Sequence, residues 1–173
     1  MKWLFLSITV LFISCRPNGQ SNLNQNEVVS DNSEIEKVVK SDEEWRKTLS
    51  PNEYYIARQA GTEYSFGTAY KDFKQLEKAV KKEGVWECAA CGHKLFAAKT
   101  SFDSGSGWPS FYEPYASNSV IEKKDFTHGW VRTEVVCAKC DAHLGHVFEG
   151  EGMNTPTDRR FCVNAGILNH ESE

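Results

Sequence analysis

Two matched cysteine pairs, "CAAC" at Cys88 and Cys91 and "CAKC" at Cys137 and Cys140, hold four of the six cysteines of this chain. Each pair runs into turn-forming residues, "CGHK" after Cys91 and "CDAH" after Cys140, as required if both thiolates of a pair are to face one ion. Four thiolates at about 2.3 Å suit tetrahedral Zn²⁺ and leave no open position, so the spacing points to one structural zinc per chain. An oxidising compartment would favour disulfides, and an isolated CxxC can be a redox pair; two matched pairs favour the cage. A closed cage also excludes hydrolytic zinc chemistry, because no water can reach the metal.

Of the remaining two cysteines, Cys15 belongs to an N-terminal signal, which leaves Cys162 in "RRFCVNAG" as the one thiol free to react. A lone cysteine on a β-branched strand is by itself a small core hydrophobe. Its surroundings argue for more. On a strand, residues two apart share a face, so Arg160, Cys162 and Asn164 should project together. "HLGHVFEG" adds His143 and His146. A cation or imidazole beside a thiol lowers its pKa and raises the nucleophilic thiolate fraction, and a histidine can deliver a proton to a developing oxygen. Zinc ligation is the competing reading of the two histidines, and four cysteines already saturate the ion. A Gly-rich loop, "FDSGSGWPSFYEPY", crowds Trp108, Phe111 and Tyr112 together, either as core or as the wall of a pocket for a small apolar group.

These groups need a frame. "SDEEW" puts Ser41 and Glu44 at capping-box spacing, and "SPNE" repeats the signal with Ser50, Pro51 and Glu53, predicting two short helices, the second stopping at Gly61. "YKDFKQLEKAVKKEG" spaces Phe73, Leu76 and Val80 on one helical face, with Gly84 as the stop. Beyond Trp86 the helical period gives way to short β-branched or aromatic segments separated by Gly, Pro, Asn and Asp. The expected body is therefore mainly β, with helices at its N-terminal edge. At 173 residues it is one domain with short extensions.

"MKWLFLSITVLFISC" has a single lysine, an apolar run and a terminal cysteine, the form of a secretory signal too short for a comfortable membrane span. Its ending resembles the lipobox of bacterial lipoproteins, with Phe12 where leucine is more usual, which implies cleavage before Cys15 and lipidation of that residue. The Asn-, Ser- and Gln-rich stretch that follows cannot bury enough surface to offset its ordering entropy. The expected organisation is a signal peptide over 1–14, a lipidated flexible tether over 15–40 and one domain over 41–173. The protein would then be exported and held to a membrane by its lipid alone. A net charge of −4, with no basic block, argues against nucleic acid.

Taken in order, "GTEYSFG", "CAAC", "SGSGWPSF", "CAKCDAHLGHVFEG" and "RRFCVNAGIL" resemble the B-type methionine sulfoxide reductases from about Ser41 to Leu168. The resemblance implies a mainly β fold of two antiparallel sheets with short N-terminal helices and a structural zinc on Cys88, Cys91, Cys137 and Cys140. It implies reduction of the R epimer of methionine sulfoxide, with Cys162 as nucleophile and His143, His146, Asn164 and Arg160 around it. Trp108 would pack the substrate methyl group, and Phe111 and Phe148 are the further expected substrate contacts. Many members carry a resolving cysteine where this chain has Ser106. Serine cannot form the disulfide, so a thioredoxin-like partner must reset a Cys162 sulfenic acid directly. The expected substrates are oxidised proteins or peptides, and the expected state is a monomer. Phe161 in place of tyrosine and "VNAG" in place of the more usual "INSA" are smaller departures. A zinc-ribbon binding module with an inert Cys162, or a thiol-disulfide oxidoreductase using a CxxC, are the rival readings.

Overall fold

A computed structural model describes residues 35–172. The signal segment, Cys15 and most of the tether lie outside the described residues.

Both capping boxes form. Ser41 accepts from the Glu44 amide and its own amide donates to the Glu44 carboxylate at 2.7 Å, opening α1 (Asp42–Thr48). Ser50 and Glu53 do the same for α2 (Pro51–Gln59), with Pro51 at the first helical position. Trp45 of α1 and Tyr54, Ile56 and Ala57 of α2 are buried. The second helix ends just before its predicted stop: Ala60 takes the left-handed conformation (φ 51°). Gly61 instead makes room for the Tyr55 ring, which a Cβ would meet at 2.4 Å.

The third helix, α3 (Thr68–Ala79), departs from its expected stripe. Phe73 is its one buried residue, set 4.6 Å from the Trp86 ring, whereas Leu76 is 42% exposed. The helix also ends before Gly84, because Lys81 and Lys82 both adopt positive φ. Of the expected stripe, Phe73 alone anchors the helix; Leu76 and Val80 do not join the core.

The body comprises two antiparallel sheets. The smaller has the order β2-β1-β8, from β1 (Val85–Cys88), β2 (Lys94–Ala97) and β8 (Leu168–Glu171). The larger has the order β3-β7-β6-β5-β4, from β3 (Ser110–Phe111), β4 (Val120–Asp125), β5 (Arg132–Cys137), β6 (His143–Glu149) and β7 (Arg159–Val163). Phe96 of β2 stacks on Phe111 of β3 at 4.4 Å and sits 5.7 Å from Phe161 of β7, so the core lies between the sheets. Val135, Val147, Phe161 and Val163 fill the core-facing side of the larger sheet.

Composition places residues 35–40 in the tether, but they lie against the domain. The Val38 amide donates to the Lys139 carbonyl at 2.8 Å, Lys37 pairs with Asp141 at 3.3 Å, and Val38 packs on the core. Val38 packing, one backbone hydrogen bond and one ion pair dock the segment beside the second cysteine pair.

Candidate active site

Register decides which side chains meet. In the larger sheet Cys162 stands directly opposite His146 on one side and Ser110 on the other, and Arg160 stands opposite Phe148. Directly paired residues project to the same face. The same face continues through Glu134, the partner of His146, and through Arg132, the partner of Asp125.

His143 and His146 are three apart, and a regular strand would send them to opposite faces. A bulge prevents this. The pairing of β5 with β6 steps from Val135↔Gly145 to Val136↔His143, which places the extra residue, Leu144, between the histidines and returns His143 to the face of His146. The rings lie 5.7 Å apart. Gly145 is required here, since a Cβ on it would stand 2.0 Å from the Cys162 carbonyl oxygen.

A cavity of about 140 Å³ opens on this face; His146 and Cys162 line it, whereas His143 and Arg160 stand outside its lining. Cys162, His146, Phe148 and Arg132 supply the sheet side, and Trp108, Thr62 and Asn164 supply the loop side. Trp108 is fixed by its indole N–H, which donates to the Glu63 carbonyl at 3.1 Å. Asn164 also borders the cavity, but its side chain serves as a brace. Its amide nitrogen donates to the Leu144 carbonyl (3.0 Å) and the Gly61 carbonyl (3.3 Å), and its oxygen accepts from the Glu63 amide (2.9 Å). It thereby ties the loop carrying Thr62 to the bulge carrying the histidines.

Two carboxylates absent from the sequence reading orient those histidines. His143 Nδ1 meets Glu134 at 2.6 Å, and His146 Nε2 meets Asp125 at 2.8 Å. Asp125 also receives Arg132 at 2.7 Å and the Thr127 hydroxyl at 2.6 Å. Hydrogen bonds from Thr127 and His146 hold its carboxyl well below the usual range. Pairing with an anion fixes ring orientation and the proton on the bonded nitrogen. Burial nevertheless lowers the His146 pKa, opposed by Asp125 and reinforced by Arg132 and His143.

The expectation of an acidified Cys162 is overturned. Burial pushes its pKa above that of an ordinary thiol, although the Arg160 charge and a Ser106 hydrogen bond pull the other way. Part of the reason lies with Arg160, whose guanidinium is bound by Glu151 through two contacts at 2.8 and 2.9 Å while lying over the Phe148 ring. A cation already paired does less for a thiolate. Ser106 sits close enough to bond the thiol, held by Ser104 at 2.8 Å.

Phe111 requires the second correction. Paired with Phe161, it falls on the core face, fully buried against Phe96. It holds the sheets together and borders no part of the cavity. Phe148 and Trp108 are the aromatic walls.

Cys88, Cys91, Cys137 and Cys140 converge elsewhere. Their sulfurs all lie within 4.8 Å of one another, with Cys88···Cys140 and Cys91···Cys137 both at 3.7 Å. A tetrahedron of Zn–S bonds about 2.3 Å long has edges of roughly 3.8 Å, which these two separations already match, so the four thiolates suit a zinc site. The first pair forms the β1–β2 turn and the second the β5–β6 turn, so the ion would clamp one sheet to the other.

Comparison with known proteins bears on this arrangement. The SelR domain family matches residues 49–172. Three similar curated proteins are each named peptide methionine sulfoxide reductase MsrB. That of Pseudomonas fluorescens is 48% identical over 134 residues, covering 78% of this chain and 96% of the relative. That of Leptospira interrogans is 46% identical over 138 residues (79% and 98%), and that of Methanosarcina barkeri 47% over 137 residues (79% and 89%).

Proposed function

The chain belongs to the B-type methionine sulfoxide reductases, the SelR family, and from that premise we propose that Cys162 is the nucleophile that takes the sulfoxide oxygen. The reaction is reduction of methionine-R-sulfoxide, in peptide form, to methionine. One observation carries the assignment of residues: Cys162 and His146 face each other across adjacent strands and border a single cavity walled by Trp108 and Phe148.

Sulfoxide sulfur becomes electrophilic when its oxygen gains a proton as the thiolate attacks. Cys162 supplies the sulfur nucleophile and, through His146, the proton. The S–O bond of the substrate breaks, methionine leaves, and Cys162 is left as a sulfenic acid holding the oxygen and that proton. Thiol and sulfoxide thus become sulfenic acid and thioether, with atoms and electrons balanced. His143, held by Glu134, backs His146; Arg160 stabilises the thiolate, and Asn164 positions the loop that closes the far wall. Ser106 occupies the place from which a second cysteine would attack, so an external thioredoxin-like dithiol reduces the sulfenic acid. The four-cysteine zinc is structural and contributes clamping, not chemistry.

The first fifteen residues support a further proposal, that the protein is exported and anchored through lipid on Cys15. Incorporation of a palmitate analogue that disappears in C15S is the expected result; labelling that persists would contradict it. The activity itself is tested with separated R and S epimers of a peptide-like methionine sulfoxide and a thioredoxin couple. Turnover confined to the R epimer and lost in C162S is expected; activity surviving in C162S would overturn the assignment.

A further inference from the structure

Two chain segments that border the Cys162 cavity, one through Thr62 and one through Arg132, also carry exposed aromatic residues. On one side, the loop carrying Thr62 is fastened to the Trp108 wall: the Phe66 amide donates to the Gly107 carbonyl at 3.0 Å and the Ser65 hydroxyl to the Ser106 carbonyl at 2.7 Å. That loop presents Tyr64, 92% exposed. On the other side is the β4–β5 hairpin. Its Trp130 is extended (φ −136°, ψ 159°), two residues before the cavity-lining Arg132, and 67% exposed. Trp130 thus stands on the hairpin whose two arms supply Arg132 to the cavity and Asp125 to His146. Strand order separates the two: Trp108 leads into the edge strand β3 beside β7, whereas Arg132 lies on β5, beyond β6.

We propose that Tyr64 and Trp130 form an apolar lip that grips the residues flanking methionine sulfoxide in an unfolded polypeptide, so that the enzyme prefers sulfoxides in apolar sequence surroundings. The proposal rests on the reading of Cys162 as the sulfoxide reductant. Continuity with the cavity identifies the occupant, because a methionine sulfoxide side chain seated there drags its own backbone neighbours over both banks. The chemistry of the lesion supplies the match. Methionine sits mainly in cores, and its oxidation places a polar group there and opens the packing. The chain so released carries apolar residues within a few positions on either side of the sulfoxide, at the two- to four-residue spacing of a buried face. Two large exposed aromatics on the segments that border a small cavity complement it, since Trp and Tyr give much contact area for little lost conformational freedom.

The test uses the R epimer in three contexts: N-acetylmethionine sulfoxide amide, a short peptide with Leu and Phe flanks, and one with Ser and Gly flanks. Wild type should show a KM about tenfold lower for the apolar peptide than for the polar one. In Y64A/W130A that advantage should vanish, with kcat and the KM for the N-acetyl amide unchanged, and W130F should retain it. Equal KM values for the two peptides in wild type would overturn the lip. So would a double variant that keeps the preference but no longer sediments with phosphatidylglycerol vesicles, since the aromatics would then meet a membrane. Absence of reduction in every context would remove the sulfoxide reading itself, and the lip with it.

Discussion

Cys162, the proposed nucleophile, is the group whose protonation runs against its task. Burial raises the Cys162 pKa and lowers that of His146, so at neutral pH the free site holds one proton, on sulfur. The reactive pair of thiolate and imidazolium contains the same single proton. Activity should therefore hold level across neutrality, falling at acid pH as His146 takes a second proton and at alkaline pH as the last proton is lost. The kcat/KM profile should show its acid limb below about 6.5 and its alkaline limb above about 8.5, the ordinary imidazole and thiol values. A bell confined to acid pH would contradict this placement. Glu151 is a second lever, since it binds Arg160 and its charge raises the Cys162 pKa. E151Q should shift the pH dependence of Cys162 alkylation by iodoacetamide to lower pH; no shift would remove Glu151 from the balance. Neither carboxylate partner of the histidines was legible in the sequence. Glu134 and Asp125 lie nine and 21 residues from the rings they hold, and only strand register brings them there. Phe111 misled for the same reason: in "WPSFY" nothing shows which of two alternating residues faces the core.

Elements explain why those residues meet. The capping boxes of α1 and α2 were readable because a helix start is a local hydrogen-bond pattern, complete within four residues. The bulge at Leu144 was not, because it exists only relative to β5. It is nevertheless what sets both histidines on the face of Cys162, and Gly145 is the residue it cannot lose. G145A should cost about 2 kcal/mol or more in denaturant unfolding and depress kcat, as its Cβ displaces the Cys162 carbonyl. An unchanged kcat would show that the bulge tolerates the shift. The knuckles at Cys88–Cys91 and Cys137–Cys140 span the two sheets. Their spacing made the ligand set evident in the sequence, but not that the ion joins sheet to sheet. Stripping the metal with a chelator under reducing conditions should lower the melting temperature by more than about 10 °C, with one zinc per chain released. A melting temperature unaffected by chelation would deny the clamp.

At the scale of the whole molecule, the two sheets close a core around Phe96, Phe111 and Phe161 and leave the opposite face of the larger sheet for chemistry. The N-terminal segment docks at Lys139 and Asp141, beside the second knuckle, at the other end of β5 from the hairpin that bears Trp130. Fold class was legible because a change from helical to alternating period is a property of whole segments; the docking of residues 35–40 was not, since its partners, Lys139 and Asp141, lie about a hundred residues away. Among the described residues the remaining four cysteines form the metal set, and Ser106 bonds the thiol where a resolving cysteine would attack. The central claim is that Cys162 completes its half-reaction alone. It is tested most directly by a single turnover of the zinc-loaded protein with peptide methionine-R-sulfoxide, without reductant and with dimedone present. The account predicts one methionine per chain, a dimedone adduct on Cys162 and the four zinc thiolates unchanged; an intramolecular disulfide, or methionine formed without modification of Cys162, would contradict it.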